Sequence, residues 1–274
     1  KPMPLQPIQK DFNRAYAEAP AQVKHLDAPF PRVYDNAPAN DPLSAEGSGR
    51  IAPGGKNASA RRVIAGDIRD EVVSTVEELY THGLITATGG NVSARIPGRD
   101  EVWITPNSSF KGAMRPDMLV RVNLEGNPIG DFPYAPSSER MLHCALYRNE
   151  PSVSAVIHSH APKATTLGLA GLPFLPISTE AAFVGEIPRI PFIMPGTIEL
   201  AEAVAAAAKN APAVIMQNHG LIVGGPNLRH TIDITLIIEQ TSETLIACHT
   251  LGKTPPVLPE EIVATLRSLG EIVA

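Results

Sequence analysis

The sequence predicts an α/β protein in which helices cover both faces of a mixed or antiparallel sheet. Short strand-like segments lie in residues 92–123, 152–160 and 214–223. Longer segments, with apolar residues at helical spacing, precede and follow them, and the longest spans residues 228–251. Runs of short strands between long helices favour this arrangement over an all-helical or all-strand fold.

The first helix of this unit is indicated by apolar residues that recur at helical spacing from Val63 to Leu79. It should end at Gly83, a residue type that suits a helix C-terminus. After the Gly89-Gly90-Asn91 turn we expect three strands. They cover Val92 to Ile96, Val102 to Thr105 and Leu119 to Asn123.

The second half of the unit begins with Ser137, which is a good N-cap for a helix that runs to about Asn149. Residues 152–160 alternate as a strand. Val214 to Gln217 and Leu221 to Val223 predict a hairpin around Asn218-His219-Gly220. The last long helix is apolar on most sides, so we expect it to be buried.

Composition excludes several classes of partner. A net charge of −5 and a pI near 5.9 argue against nucleic acid, which requires a basic surface. No basic run indicates a membrane surface, no apolar run reaches ~18 residues, and the first residues lack a signal-peptide pattern. Cys144 and Cys248 are interpreted as buried free thiols of a reducing compartment. We therefore expect a soluble, cytoplasmic protein.

Residues 1–58 differ from the remainder because they are rich in proline, alanine, glycine and asparagine. Such a segment cannot form a core alone, so we predict an N-terminal arm at 1–58 and one folded domain at 59–274. One short helix is plausible from Gln9 to Ala19. Phe12, Phe30 and Tyr34 could anchor the arm to a neighbouring subunit, or the arm could be disordered.

The segment Val156-Ile-His-Ser-His160 is the strongest indication of chemistry. Side chains alternate along a strand, so His158 and His160 point to the same face. Two imidazoles on one face can bind one metal ion. A pair of hydrogen-bonded structural histidines is the other interpretation of this segment taken alone.

Two further residues favour the metal. His219 lies at the predicted tight turn, and Glu139 lies in the first turn of the helix that precedes the His158 strand. Three imidazoles and a carboxylate suit zinc, manganese or ferrous iron, of which zinc is our first expectation. His143 follows Glu139 by one helical turn and is interpreted as a structural histidine, with a supporting role beside the site as the alternative.

Six motifs occur in the order typical of one family, and residues 60–270 thereby resemble the class II aldolase/adducin family. The motifs are Thr88-Gly-Gly-Asn-Val-Ser-Ala-Arg95, Ile104-Thr-Pro106, Pro136-Ser-Ser-Glu139, His158-Ser-His160, Pro195-Gly-Thr197 and Asn218-His-Gly220. The resemblance implies a three-layer α/β/α sandwich with a central, mainly antiparallel sheet. It also implies a homotetramer with active sites between subunits.

The resemblance assigns the metal to His158, His160 and His219, with Glu139 as a further ligand or as the acid–base group. Adducin-like members without activity lack the metal histidines, so we expect an enzyme. Further substrate-binding residues are expected in the phosphate-holding motifs and near them. These are Asn91, Asn107, Ser108, Lys111, Ser137 and Ser138. Glu180 is a further substrate-binding candidate, because it or Thr179 could replace a proton donor of the family, or both could simply line a loop.

The chain departs from the sugar-phosphate aldolases of the family in two places. Ser108 replaces a glycine, and its Cβ should hinder the close backbone approach that a phosphate needs. Ile177 and Leu269 replace tyrosines that donate protons, and neither side chain can do so. Lys111 and Arg115 could bind a carboxylate instead, or could be solvated surface charges.

Three functions remain open from the sequence. The first is a metal-dependent lyase, an aldolase or decarboxylase, acting on a small carbonyl or carboxylate substrate. The second is a non-heme Fe(II) oxygenase that oxidatively decarboxylates aryl 2-oxo or 2-hydroxy acids, as in aminocoumarin pathways. The third is an adducin-like scaffold without activity.

Overall fold

The computed structural model describes residues 67–273, with side chains described up to Arg267. The predicted arm, its helix from Gln9 to Ala19 and its three aromatic anchors lie outside the described residues. The boundary at residues 58 and 59 lies outside them too and stays a prediction.

A single seven-stranded sheet forms the centre of the described unit. Its strands are β1 (Asn91–Arg95), β2 (Glu101–Ile104), β3 (Val120–Asn123), β4 (Ala155–Ser159), β5 (Arg189–Ile190), β6 (Ala213–Met216) and β7 (Gly220–Gly225). They are arranged in the order β3-β2-β1-β4-β7-β6-β5. Only the β5–β6 pair is parallel, so the predicted mainly antiparallel sheet is confirmed.

Seven α-helices accompany the sheet in the described part of the chain. They are α1 (Ile68–Thr81), α2 (Arg140–Asn149), α3 (Pro162–Leu169), α4 (Thr179–Val184), α5 (Ile198–Ala207), α6 (Leu228–Thr250) and α7 (Glu260–Val273). Short 3-10 turns cover Lys111–Ala113, Pro116–Met118 and Ala208–Asn210.

Two hydrophobic cores, one on each face of the sheet, create the three layers. Helices α1, α3, α4 and α6 pack on the face that includes Ile157. Helices α2 and α5 pack on the opposite face, which includes Val156. Because successive strand side chains point to opposite faces, His158 projects toward the α2 layer. The expected α/β/α sandwich is confirmed, and it brings the metal-ligand candidates to the side of Glu139.

Each strand and helix predicted from residue 68 onward is present, apart from shifts of a few residues at its ends. Helices α3, α4, α5 and α7 and strand β5 were not predicted. Helix α1 ends beside Gly83, and β6 and β7 pair as the predicted hairpin. The N-cap prediction for Ser137 was wrong, because Glu139 occupies the N-cap position of α2, without a capping hydrogen bond from its side chain. The Ser137 hydroxyl accepts from the Glu139 backbone N–H over 3.2 Å. Cys144 is buried as predicted, whereas Cys248 is only half-buried.

Helix α6 is buried along most of its first five turns, from Leu228 to Leu245, but its last turn is exposed. Its 23 residues would be long enough to cross a bilayer, which requires about 20, yet it carries too many polar and charged residues. Within the described residues, no helix combines the length and apolar character that crossing a membrane requires.

Candidate metal centre and cavity

His158 and His160 lie at the end of β4 with their ring centroids 5.1 Å apart, as the alternation predicted. His158 is fully buried, and its Nδ1 lies 3.1 Å from the Leu221 carbonyl oxygen. A carbonyl can only accept, so Nδ1 carries a proton, and in the neutral ring the lone pair of Nε2 is free. This backbone contact orients the ring as second partners of metal-binding histidines do.

His219 reaches the pair from the β6–β7 turn. Asn218 occupies the left-handed region there with φ of 59°, a conformation that asparagine tolerates. The His219 ring centroid lies 4.7 Å from that of His158 and 5.8 Å from that of His160. Gly220 lies so close to β4 that a Cβ would be 2.3 Å from the Ser159 carbonyl oxygen. A bulkier residue would therefore force the His219 turn away from β4.

His160 depends on a second close approach. A Cβ on Gly89 would lie 2.8 Å from Cε1 of His160, so only glycine at position 89 leaves room for this ring. Burial, together with the neighbouring His158 and His219, lowers the pKa of His160 to about 4. A neutral imidazole is the form that binds a metal ion.

Glu139 completes the cluster from the N-terminus of α2. Its Oε1 lies 3.1 Å from Nε2 of His219, and its Oε2 lies 3.3 Å from Nε2 of His158. Burial by itself would raise the pKa of this carboxyl. The adjacent His158 and His219 outweigh burial, so the pKa lies well below its usual range and the group is a carboxylate.

These residues fit a divalent metal ion. One nitrogen from each of His158, His160 and His219 lies within 4.8 Å of the others. Nε2 of His158, Nε2 of His160 and Oε1 of Glu139 are buried without an aligned hydrogen-bond partner. Although the carboxylate oxygens are within 3.3 Å of two rings, they are not aligned to accept hydrogen bonds from them. Such nitrogen and oxygen donors are the set that zinc, manganese and ferrous iron accept.

A cavity of about 390 Å³ opens beside the cluster. Most of the residues that were predicted to bind metal or substrate line this cavity. These are Asn91, Asn107, Ser108, Lys111, Ser137, Ser138, Glu139, His160 and His219. Two backbone hydrogen bonds between loops bring Ser108 close to Ser137 and Ser138. The Asn107 N–H donates to the Ala135 carbonyl over 2.9 Å, and the Ser137 N–H donates to the Thr105 carbonyl over 3.1 Å.

Lys111 supplies the one ammonium or guanidinium group that lines this cavity in the described residues. Its side chain is only 2% exposed, so the surface interpretation of this residue was wrong. Nζ donates to the Ser109 hydroxyl over 3.2 Å and to the Ser109 carbonyl over 3.4 Å. Burial lowers the pKa of Lys111 to about 8.

Ser108 occupies the left-handed region with φ of 50°. Its backbone therefore keeps a conformation that normally favours glycine, at a cost in strain. The expected obstruction of a phosphate would therefore come from the Cβ atom of Ser108 alone, because the backbone keeps a glycine-like conformation. Ser108 is exposed and presents its side chain at the edge of the cavity.

The cavity is not lined by three residues that the sequence associated with the substrate, namely Ile177, Glu180 and Arg115. Glu180 is exposed and lines a separate cavity with Ile177, so its role in substrate binding stays a prediction. Arg115 is exposed and pairs with Asp117 over 3.1 Å. The side chain of Leu269 lies outside the described residues.

Other features of the site were not predicted. Thr88, Gly89, Pro195 and Gly196 also line the cavity. Their motifs gave a signal, but no spacing assigned them a function. The sequence also gave no sign that the Asn91 side chain donates to Oε2 of Glu139, over 2.9 Å. That bond joins residues 48 positions apart and depends on the packing of α2 against β1.

Fold and site together define a three-layer α/β/α protein with a tri-histidine and carboxylate cluster in a cavity. Residues 70–246 match the family described as Class II Aldolase and Adducin N-terminal domain. The chain belongs to this family.

Relatives of known activity are aldolases and decarboxylases. The chain is 32% identical over 195 residues to the 5-methylthioribulose-1-phosphate/5-deoxyribulose-1-phosphate aldolase of Escherichia coli O45:K1, covering 70% of this chain and 90% of that protein. It is 31% identical over 187 residues to the 3-oxo-tetronate 4-phosphate decarboxylase of Escherichia coli O6:H1, covering 65% and 85%. These relatives support a lyase that cleaves carbon–carbon bonds.

Solved structures agree with this kinship. An L-fuculose 1-phosphate aldolase superposes with a TM-score of 0.71 at 26% identity, covering 76% of this chain and 97% of that one. YgbL from Klebsiella pneumoniae, described as a putative aldolase/epimerase/decarboxylase, superposes with a TM-score of 0.68 at 28% identity, covering 73% and 97%.

Proposed function

We propose that this chain is a divalent-metal-dependent lyase that cleaves a carbon–carbon bond next to a carbonyl group in a small anionic substrate. One observation carries the proposal: His158, His160, His219 and Glu139 converge beside a cavity of about 390 Å³. Zinc is the expected metal, and ferrous iron or manganese would suit the same donors.

A bound divalent ion would supply Lewis acidity that polarises a substrate carbonyl. The chain itself must move the proton. In an aldol cleavage the carboxylate of Glu139 takes the proton of the substrate hydroxyl. The electrons of that O–H bond form the new carbonyl group, and the electron pair of the broken C–C bond passes to the carbon beside the polarised carbonyl. The proton then returns to that carbon. In a decarboxylation the carboxylate leaves as CO₂, and only the protonation step is needed.

The anionic group of the substrate is assigned to Lys111, with Ser108, Ser137 and Ser138 as hydrogen-bond donors. Lys111 offers a single positive charge inside the cavity, which matches a carboxylate better than a phosphate dianion. We therefore propose a small carbonyl or carboxylate compound as substrate. The phosphorylated substrates named for the relatives are the alternative to be tested.

The test is a substrate panel offered to enzyme reconstituted separately with Zn²⁺, Mn²⁺ and Fe²⁺. One arm contains small 2-oxo and 2-hydroxy carboxylates. The other contains 5-deoxyribulose 1-phosphate and L-fuculose 1-phosphate, and products are identified by NMR. We expect cleavage in the carboxylate arm. Efficient cleavage confined to the phosphate arm would overturn the substrate class, and no cleavage with any metal would overturn the function.

The same assay, repeated anaerobically, separates the lyase from the oxygenase considered above. The His and Glu donors suit both chemistries, and the relatives favour the lyase. We expect equal turnover with and without O₂. Turnover that requires stoichiometric O₂ would replace the lyase by the oxygenase.

A homotetramer with sites between subunits remains a proposal from the family resemblance. An exposed apolar group beside the cavity supports it, because Phe192, Met194 and Ile198 are 52%, 48% and 63% exposed around the cavity-lining Pro195 and Gly196. Light scattering of the eluting protein tests it, and a monomer would contradict it.

A cytoplasmic location is proposed on the two unpaired cysteines.

A further inference from the structure

Two rows of polar side chains face each other behind the metal centre. Glu139, His143 and Tyr147 recur every four residues from the N-cap of α2 onward, and Asn91 and Ser93 alternate along β1. Four helical residues rise about 6 Å and two strand residues about 6.6 Å. The two repeats therefore stay in step, and side chains from helix and strand interleave.

Four hydrogen bonds in series connect the rows. The Tyr147 and Ser93 hydroxyls are 2.8 Å apart, and the Ser93 hydroxyl lies 2.7 Å from Nδ1 of His143. Nε2 of His143 contacts Oδ1 of Asn91, whose Nδ2 donates to Oε2 of Glu139 over 2.9 Å. None of Asn91, Ser93, His143 and Tyr147 is more than 5% exposed, so water cannot substitute for these partners.

The carboxylate at the end of the series determines the direction of every bond. Ionised Glu139 can only accept, so Asn91 must present its NH₂ group to it and its carbonyl oxygen to His143. Nε2 of His143 must then carry the proton, and Nδ1 must accept from the Ser93 hydroxyl. The Ser93 oxygen in turn accepts from Tyr147. Burial lowers the pKa of His143 to about 3, so this ring stays neutral. A neutral ring carries one proton, which allows the tautomer protonated at Nε2.

We infer that Ser93 and His143 are positioning residues that hold the Asn91 amide donor on Oε2 of Glu139 and so fix the carboxylate beside the histidine cluster. The inference rests on the proposed function, because the carboxylate is proposed to act there. Without a defined His143 tautomer, Asn91 could turn its carbonyl oxygen toward Glu139, and two acceptors would then face each other. A series that only satisfied buried polar groups would not need one direction.

Two matched single-atom deletions test the inference. Ser93→Ala and Tyr147→Phe each remove one hydroxyl and the hydrogen bond between these two residues, and Ser93→Ala also removes the bond to His143. Tyr147→Phe keeps the ring under the Arg95 guanidinium, 5.2 Å from its centroid. Only Ser93→Ala leaves Nδ1 of His143 without a donor. A second pair is His143→Gln, whose amide can donate to Asn91 and accept from Ser93, and His143→Leu, which can do neither.

The readouts are steady-state kinetics, unfolding temperature and the ring ¹⁵N shifts of His143, which report its tautomer. We expect an Nε2-protonated ring in the parent and in Tyr147→Phe. Ser93→Ala and His143→Leu should lose kcat by about tenfold or more with KM within about twofold, the loss expected for one charge-assisted hydrogen bond. His143→Gln should recover most of kcat.

Several results would overturn the inference. One is an Nδ1-protonated His143 in the parent, which would reverse the series whether or not the enzyme has measurable turnover. Another is a folded Ser93→Ala with the kcat of Tyr147→Phe, or a folded His143→Leu with the kcat of the parent. If the parent cleaves no substrate, the proposed function fails, but the tautomer measurement still decides the direction of the hydrogen bonds.

Discussion

The ammonium group of Lys111 donates to the hydroxyl of Ser109 over 3.2 Å, and in the described part of the chain no carboxylate offsets its charge. A buried cation without an ion-pair partner is unfavourable for stability. Because Lys111 lies in the wall of the cavity, we propose that its partner is a bound ligand. The first two predictions test this assignment.

We expect Lys111→Met to stabilise the protein while weakening substrate binding. The folded pKa of about 8, against an ordinary value of 10.5, places the penalty at up to about 3 kcal/mol below pH 8. Chemical unfolding at pH 7 should show a higher free energy of unfolding, and kinetics should show a higher KM. Lys253→Met, at an exposed loop lysine, is the control and should change neither. A destabilised Lys111→Met with normal KM would contradict the assignment.

The same lysine predicts the pH dependence of kcat/KM, which reports groups of the free enzyme. Lys111 is charged below about pH 8 and neutral above it, so kcat/KM should fall as pH rises through about 8. Lys111→Arg should move this fall to much higher pH, because guanidinium stays charged. The destabilisation that the buried lysine causes depends on pH in the same range. It is complete below about pH 8 and disappears as the pH approaches 10.5. An alkaline limb unchanged in Lys111→Arg would refute the prediction.

Removal of one proposed ligand should empty the metal centre. We expect His158→Ala to contain at least tenfold less zinc by elemental analysis, because three ligands must act together. A chelator should lower the unfolding temperature of the parent and leave that of the variant unchanged, since a metal that binds only the native state stabilises it. His249→Ala, at an exposed histidine of α6, is the control. Full metal content in His158→Ala would exclude His158 as a ligand.

Glu139→Gln should keep the fold and lose about 10²–10⁴-fold in kcat, the range for a general acid–base group. The amide has the shape of the carboxylate and can still accept from Asn91, so circular dichroism and the unfolding temperature should change little. Glu243→Gln, at an exposed position of α6, is the matched control and should keep parental kcat. Turnover of Glu139→Gln within about twofold of the parent would rule out the proton-transfer role.

The sequence by itself determined which residues form the metal centre candidate. The period of two along a strand placed His158 and His160 on one face, and the hairpin signal placed His219 at a turn between two strands. These patterns are local, so the backbone geometry of each element decides them. Six ordered motifs then indicated the family, and the fold and the matching residues 70–246 agree with that indication.

Only the tertiary structure decided which groups of distant segments meet. Strand register set Asn91 opposite His158, and the packing of α2 on β1 brought the Asn91 amide to Glu139. Lys111 follows an exposed phenylalanine in a loop and gives no local sign of burial, and Glu180 gives none that it lies in a separate cavity. Exposure and partners of a side chain depend on elements far away in sequence, and periodicity within one element carries no information about them.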